Sequence, residues 1–177
     1  MKPVKIKIVA LDIATNMGVA VGIAGGRPHT YSVDLGKGQS EDVRFSKVLA
    51  VTSALLAEHK PDLVAIEAPI GGNTTSHLLV GLAACVRGCV ANRGVPLVSY
   101  NIPAIRKHFV GRAIAARDFP HLKPHAAKKA IKQVVMDRCK LLGWDVPDDD
   151  AADAAALFDF AGAKAGAQVI AGGMFVA

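Results

Sequence analysis

At 177 residues, with 51% hydrophobic and 20% charged side chains, the chain has the apolar material for one buried core, which excludes a disordered protein. The net charge of +6 is unevenly spread: Asn101–Lys140 holds ten Lys or Arg against Asp118 and Asp137, while Asp145–Asp159 holds six Asp and no base. A basic face beside an acidic pocket suits a polyanionic substrate handled with metal ions, the bland reading being a basic face kept for solubility.

Lys5–Leu11 alternates, turns apolar and ends on Asp12, which predicts a strand with an acid at its tip. Gly18–Ala24 and His29–Leu35 read as two further strands around the Gly25-Gly26 turn, and the tight links predict an antiparallel meander. Ser40 with Glu41 and Asp42 opens a helix running to about His59, where Lys60-Pro61 stops it. Asp62–Ile66 is a short apolar strand of the kind buried on both faces, and Glu67 follows it. Pro69 and Gly71-Gly72 mark a loop, and Thr74 or Thr75 is placed to cap a helix reaching Asn92. Val95–Tyr100 is a fifth strand and Pro103–Val110 a short helix. Gly111–Lys123 is irregular and basic, and Pro124 opens a Lys-rich helix to Leu142. Pro147–Phe160, PDDDAADAAALFDF, is Ala-rich and helical, with Asp150 and Asp153 three apart on one face. No repeat or linker interrupts the chain, so residues 1–166 are expected to form one domain, with a Gly/Ala-rich tail at 167–177.

Three Cys without a C-x-x-C pair point to a reducing compartment, and Cys85 with Cys89 reads as packing on a helix rather than as zinc ligands. The apolar start is short and ends on Asp12, unlike a signal peptide, and Arg87 interrupts the longest apolar helix. A cytoplasmic protein without a membrane segment is expected.

The chemistry follows from the acids. With strands one and four as neighbours, Asp12 and Glu67 end side by side, and the last helix docking across those carboxyl ends adds Asp150 and Asp153. Four converging carboxylates repel unless cations hold them. Two hard divalent ions support phosphodiester hydrolysis, and Mg²⁺ suits an all-oxygen set better than zinc. The bland reading of Asp148, Asp149 and Asp159 is capping or solvation of a helix. Lys128, Lys129 and Lys132 are expected at phosphates, with Arg106, Lys107, Arg112 and Arg117 as weaker candidates.

The motif LDIATNMGVAVG resembles the opening of RuvC-type Holliday junction resolvases, within the RNase H-like superfamily. Ile66-Glu67 is similar to that family's strand-four glutamate, and DDAADAAAL, Asp149–Leu157, to its C-terminal Asp-x-x-Asp helix. The resemblance implies an α/β RNase H-like fold, a five-stranded mixed sheet in which the meander of strands 1–3 joins parallel strands 4 and 5 between helices. It also implies a homodimer meeting through helix 75–92, and symmetric nicking of four-way junction DNA with Asp12, Glu67, Asp150 and Asp153 as metal ligands. Family members often carry an aromatic wedge after the glutamate; here Ala68, Pro69 and Ile70 stand there, and Ile70 is the apolar substitute. The long, basic Gly111–His121 segment fits a divergent, phage-type branch. Two readings stay open beside junction cleavage: an RNase H-like nuclease acting on other branched DNA or RNA-containing substrates, and a catalytically silent junction-binding protein.

Overall fold

Period-two alternation in the first strand sorts its side chains between two helical layers. The computed structural model describes residues 5–68 and 76–170, with side chains to 166. In chain order the elements are β1 (Lys7–Asp12), β2 (Asn16–Ile23), β3 (His29–Asp34), α1 (Glu41–His59), β4 (Leu63–Glu67), α2 (His77–Asn92), β5 (Leu97–Tyr100), α3 (Ile102–Val110), α4 (Pro124–Leu141) and α5 (Asp149–Ile170). The sheet order is β3-β2-β1-β4-β5. β1 pairs antiparallel with β2 and parallel with β4, β2 pairs antiparallel with β3, and β4 pairs parallel with β5. This is the expected mixed sheet.

Ile8 and Ala10 of β1 and Leu63 and Ala65 of β4 face a core built with α3, α4 and α5. Val9 and Leu11, with Val64 and Ile66, face the opposite core under α1 and α2. Burying each large side chain, such as Ile8, Leu11 or Phe158, contributes about 1.5–3 kcal/mol. The same alternation puts Asp12 and Glu67 on the α5 side, because they lie two residues beyond Ala10 and Ala65.

The α5 side of the sheet is paved with small residues: Gly18, Ala20 and Gly22 on β2, Ala10 on β1 and Ala65 on β4. The helix answers with Ala151, Ala152, Ala154, Ala155 and Ala156, all buried. Small residues on both surfaces let α5 lie close to the strands. Sequence reasoning expects this helix to cross the carboxyl ends of the strands; instead it runs down the sheet face. Asp150 sits against Gly18 near one end of β2, and Gly162 against Ala24 just past the other. Only its first turn reaches the strand ends.

Ser40 caps α1, its side chain accepting from the Val43 N–H at 3.4 Å, and Lys60 ends it in the left-handed region at φ 45° ahead of Pro61. The α2 cap is Ser76, accepting from the Leu79 N–H; Thr74 and Thr75, the expected caps, lie outside the described residues. The 111–123 segment is irregular apart from a 3-10 turn at Ala116–Asp118. α5 continues to Ile170, so the expected tail boundary at 167 falls inside a helix, and residues 171–177 lie outside the described ones. Among the described residues no helix is long and apolar enough to cross a membrane.

Candidate active site

Asp12 closes β1 opposite Gly18, and Gly18 in turn pairs with Ser32 of β3. This row of residues lies under the first turn of α5. Ser32 Oγ donates to Asp148 Oδ1 at 2.6 Å, and the same oxygen accepts the Ala151 N–H at 2.8 Å. Asp148 thus caps α5 and pins it to β3. Thr30 Oγ1 adds a second tie by donating to the Asp145 carbonyl at 2.7 Å. Once the helix start is fixed, Asp150 and Asp153 enter a cleft of about 350 Å³ whose lining includes Asp12, Glu67, Arg106 and Lys132.

The four expected acids therefore line one cleft. Asp12 and Asp153 are buried, and Asp150 keeps 17% of its side chain exposed. Burial, reinforced by Glu67, Asp153 and Asp150, pushes the Asp12 carboxyl well above its ordinary range. Burial and the nearby Asp153 push Glu67 up to about 7, against the opposing pull of Arg106 and a hydrogen bond from Asp12. Burial also raises Asp153, with Arg106 and Lys132 working the other way. Burial first, and mutual repulsion after it, make these carboxyls resist ionisation.

Two cations lie among the acids. Lys132 Nζ is 2.7 Å from Asp149 Oδ2 and 3.1 Å from Asp150 Oδ1. Arg106 Nη2 is 4.0 Å from Asp153 Oδ2, and its buried Nε has no hydrogen-bond partner among the described residues. Both residues are among the expected phosphate contacts, and both line the cleft. Lys128 and Lys129 on α4, Lys107 at the end of α3, and Arg112 and Arg117 in the basic segment are exposed. Ile70 lies outside the described residues.

Sequence reasoning missed the residues that hold the acids. Asn16 Nδ2 donates to Asp150 Oδ2 at 2.8 Å, and Ser32 secures Asp148. Their only signal was position, since both sit on the meander strands whose register brings them under α5. Asp149, expected at a solvated helix start, pairs with Lys132, and Asp159 pairs with His108 at 2.9 Å.

The donor set fits a hard divalent cation: carboxylate oxygens on rigid elements, repelling one another across a partly dry cleft. Among the described residues, the acids whose oxygens all fall within 4.8 Å of one another are Asp148, Asp149 and Asp150. Asp148 is committed to capping, which leaves Asp150 as the member of that trio shared with the Asp12–Glu67–Asp153 side of the cleft.

No protein-family model matches the chain. It is 32% identical over 119 residues to the crossover junction endodeoxyribonuclease RuvC of Gloeobacter violaceus. That alignment takes in 66% of this chain and 61% of the relative, so the chain spans about three fifths of the curated protein it matches. Thermus thermophilus RuvC superposes with a TM-score of 0.64 at 20% identity, covering 90% of this chain and 96% of that one. The same protein in complex with a Holliday junction substrate gives 0.68 at 19% identity, over 90% and 94%. The yeast mitochondrial Holliday junction resolvase Ydc2 gives 0.57 at 10% identity, over 93% and 82%. The chain is similar in sequence to that RuvC over those 119 residues, and it shares the RNase H-like fold of these solved structures.

Proposed function

We propose that this chain is a RuvC-type nuclease, a metal-dependent endodeoxyribonuclease that cleaves four-way junction DNA. The observation that carries the reading is the convergence of Asp12, Glu67, Asp150 and Asp153 on one cleft at the ends of β1 and β4. Similarity to RuvC and to resolvases of known structure supports the substrate class.

In this reading Asp12, Glu67, Asp150 and Asp153 hold Mg²⁺, with Mn²⁺ as a substitute and two ions per site. The bound ions supply charge neutralisation and Lewis acidity for hydrolysis of a phosphodiester. The chain's own contribution is positioning. β1 and β4 fix Asp12 and Glu67 as parallel neighbours, and the Asp148 cap fixes the height of Asp150 and Asp153 above them. Arg106 and Lys132 moderate the carboxylate repulsion and stand within the cleft where a phosphate would enter. Lys128, Lys129, Lys107, Arg112 and Arg117 are exposed donors for the flanking strands. Ile70, beyond Glu67, is proposed as the apolar wedge.

A homodimer through α2 is part of the proposal, since two like nicks need two sites. Val80, Ala84 and Gly88 recur every fourth residue along the exposed side of α2, and Val80 is 42% exposed. A flat stripe of small side chains suits close packing against a second copy. Residues 1–166 are proposed as one nuclease domain, acting in the cytoplasm.

The deciding experiment is cleavage of a labelled four-way junction beside matched linear duplex, with Mg²⁺ or EDTA, for the wild type and Asp12→Asn. Paired, metal-dependent nicks confined to the junction and lost in the variant are expected. Cleavage of flaps or RNA–DNA hybrids in place of junctions would reassign the substrate. Tight junction binding with no cleavage of any substrate would leave a binding protein.

A further inference from the structure

Both carboxylate oxygens of Asp150 already accept a hydrogen bond. Its Oδ1 accepts from Lys132 and its Oδ2 accepts from Asn16, at 3.1 and 2.8 Å. The two donors differ in kind. Asn16 is neutral, sits at the start of β2 and orients the carboxylate. Lys132 is a cation on a long flexible stem, is 36% exposed, and bridges Asp149 and Asp150 together. A divalent ion that takes Asp150 as a ligand meets an ammonium already on one of the two oxygens, and two cations do not share one carboxylate oxygen in a partly dry cleft without strong repulsion.

We infer that Lys132 is the acid cluster's internal counter-ion, competing with the divalent metal for Asp150, and that metal loading releases its ammonium to a phosphate of the bound DNA. The inference rests on the proposal that these acids hold metal. Its second half follows from helical spacing: the exposed Lys128 and Lys129 stand four and three residues before Lys132 on α4, so a displaced side chain need only rotate to join them. Lys has the right chemistry for such an exchange, as a compact charge on a rotatable stem. The arrangement couples the two ligands: metal uptake makes one more phosphate contact available, and a phosphate that draws Lys132 away eases metal uptake.

The test is calorimetric titration with Mg²⁺ and with Mn²⁺ of the wild type, Lys132→Met and Lys129→Met. These are paired with junction binding in Ca²⁺ or EDTA for the same proteins. Lys132→Met is expected to bind the metal roughly two- to fivefold more tightly, a competition of the size that a partly exposed ion pair imposes. Lys129→Met is expected to match the wild type in metal affinity. Ca²⁺ is expected to strengthen DNA binding more in the wild type than in Lys132→Met. Unchanged or weaker metal binding by Lys132→Met, with the wild type binding metal, overturns the inference and leaves the metal site standing. Equal tightening in Lys129→Met also overturns it, because the effect is then long-range charge alone. Absence of metal binding in all three proteins sinks the metal site and the inference together.

Discussion

Gly18 of β2 faces the main-chain carbonyl of Asp150 so closely that a Cβ at position 18 would overlap it. This contact sets the distance between the sheet and the start of α5, and through it the distance from Asp12 to Asp150 and Asp153. Backbone meets backbone here, so no rotamer change relieves an added atom. Gly18→Ala is expected to lose about 3 kcal/mol of stability and nearly all metal-dependent cleavage. Urea denaturation and junction cleavage check the two effects; a variant as stable as the wild type would show that α5 is not held at this point.

Asp12→Asn separates repulsion from chemistry. Asp12 is buried among three other carboxyls, so an amide removes a charge that burial disfavours. In EDTA the variant is expected to be more stable by on the order of 1–3 kcal/mol, while cleavage is abolished and junction binding is kept. Thermal denaturation beside gel-shift and cleavage assays reads all three, and a destabilised variant would contradict the electrostatic account.

Stability without metal is expected to fall as pH rises through the range from about 4.5 to about 7. Glu67 is raised from the ordinary glutamate value of 4.5 to about 7. Within that window the unfolded chain has released the proton that the folded chain keeps, so raising the pH favours unfolding. The contribution is complete below the unfolded value and gone above the folded one. Asp12 and Asp153 are raised and act in the same direction. Melting temperatures in EDTA at pH 5.5 and pH 8 measure this, and Glu67→Gln is expected to flatten the difference. Saturating Mg²⁺ at pH 8 is expected to restore stability.

Junction binding is expected to weaken steeply with salt, because Lys and Arg release counterions from phosphate. Lys128→Ala and Lys129→Ala are each expected to lower the slope of log affinity against log salt by about one. A slope unchanged in both variants would remove α4 from the DNA face.

Ala84→Arg, in the middle of the exposed α2 stripe, is expected to give monomers in light scattering with the melting temperature preserved. Dimers persisting in that variant would move the interface elsewhere.

The five strands and five helices of the described residues are legible in the sequence, in their observed order. Asp12 and Glu67 were legible because a charged residue at the end of an apolar strand stands out against its neighbours. The Ala-rich Asp150–Asp153 stretch was legible because helical spacing puts both acids on one face. Those signals are local, and local spacing is what a sequence encodes directly. In sequence Lys132 and Arg106 are indistinguishable from the other candidate phosphate contacts, because nothing in their neighbourhood differs from the other bases of Asn101–Lys140. Their entry into the acid cleft depends on how α3 and α4 pack against α5, which is long-range. Asn16 and Ser32 were invisible for the same reason, since each acts on an Asp more than a hundred residues away. The course of α5 down the sheet face was decided only in three dimensions, by the small residues that β1, β2 and β4 present together once their register is set.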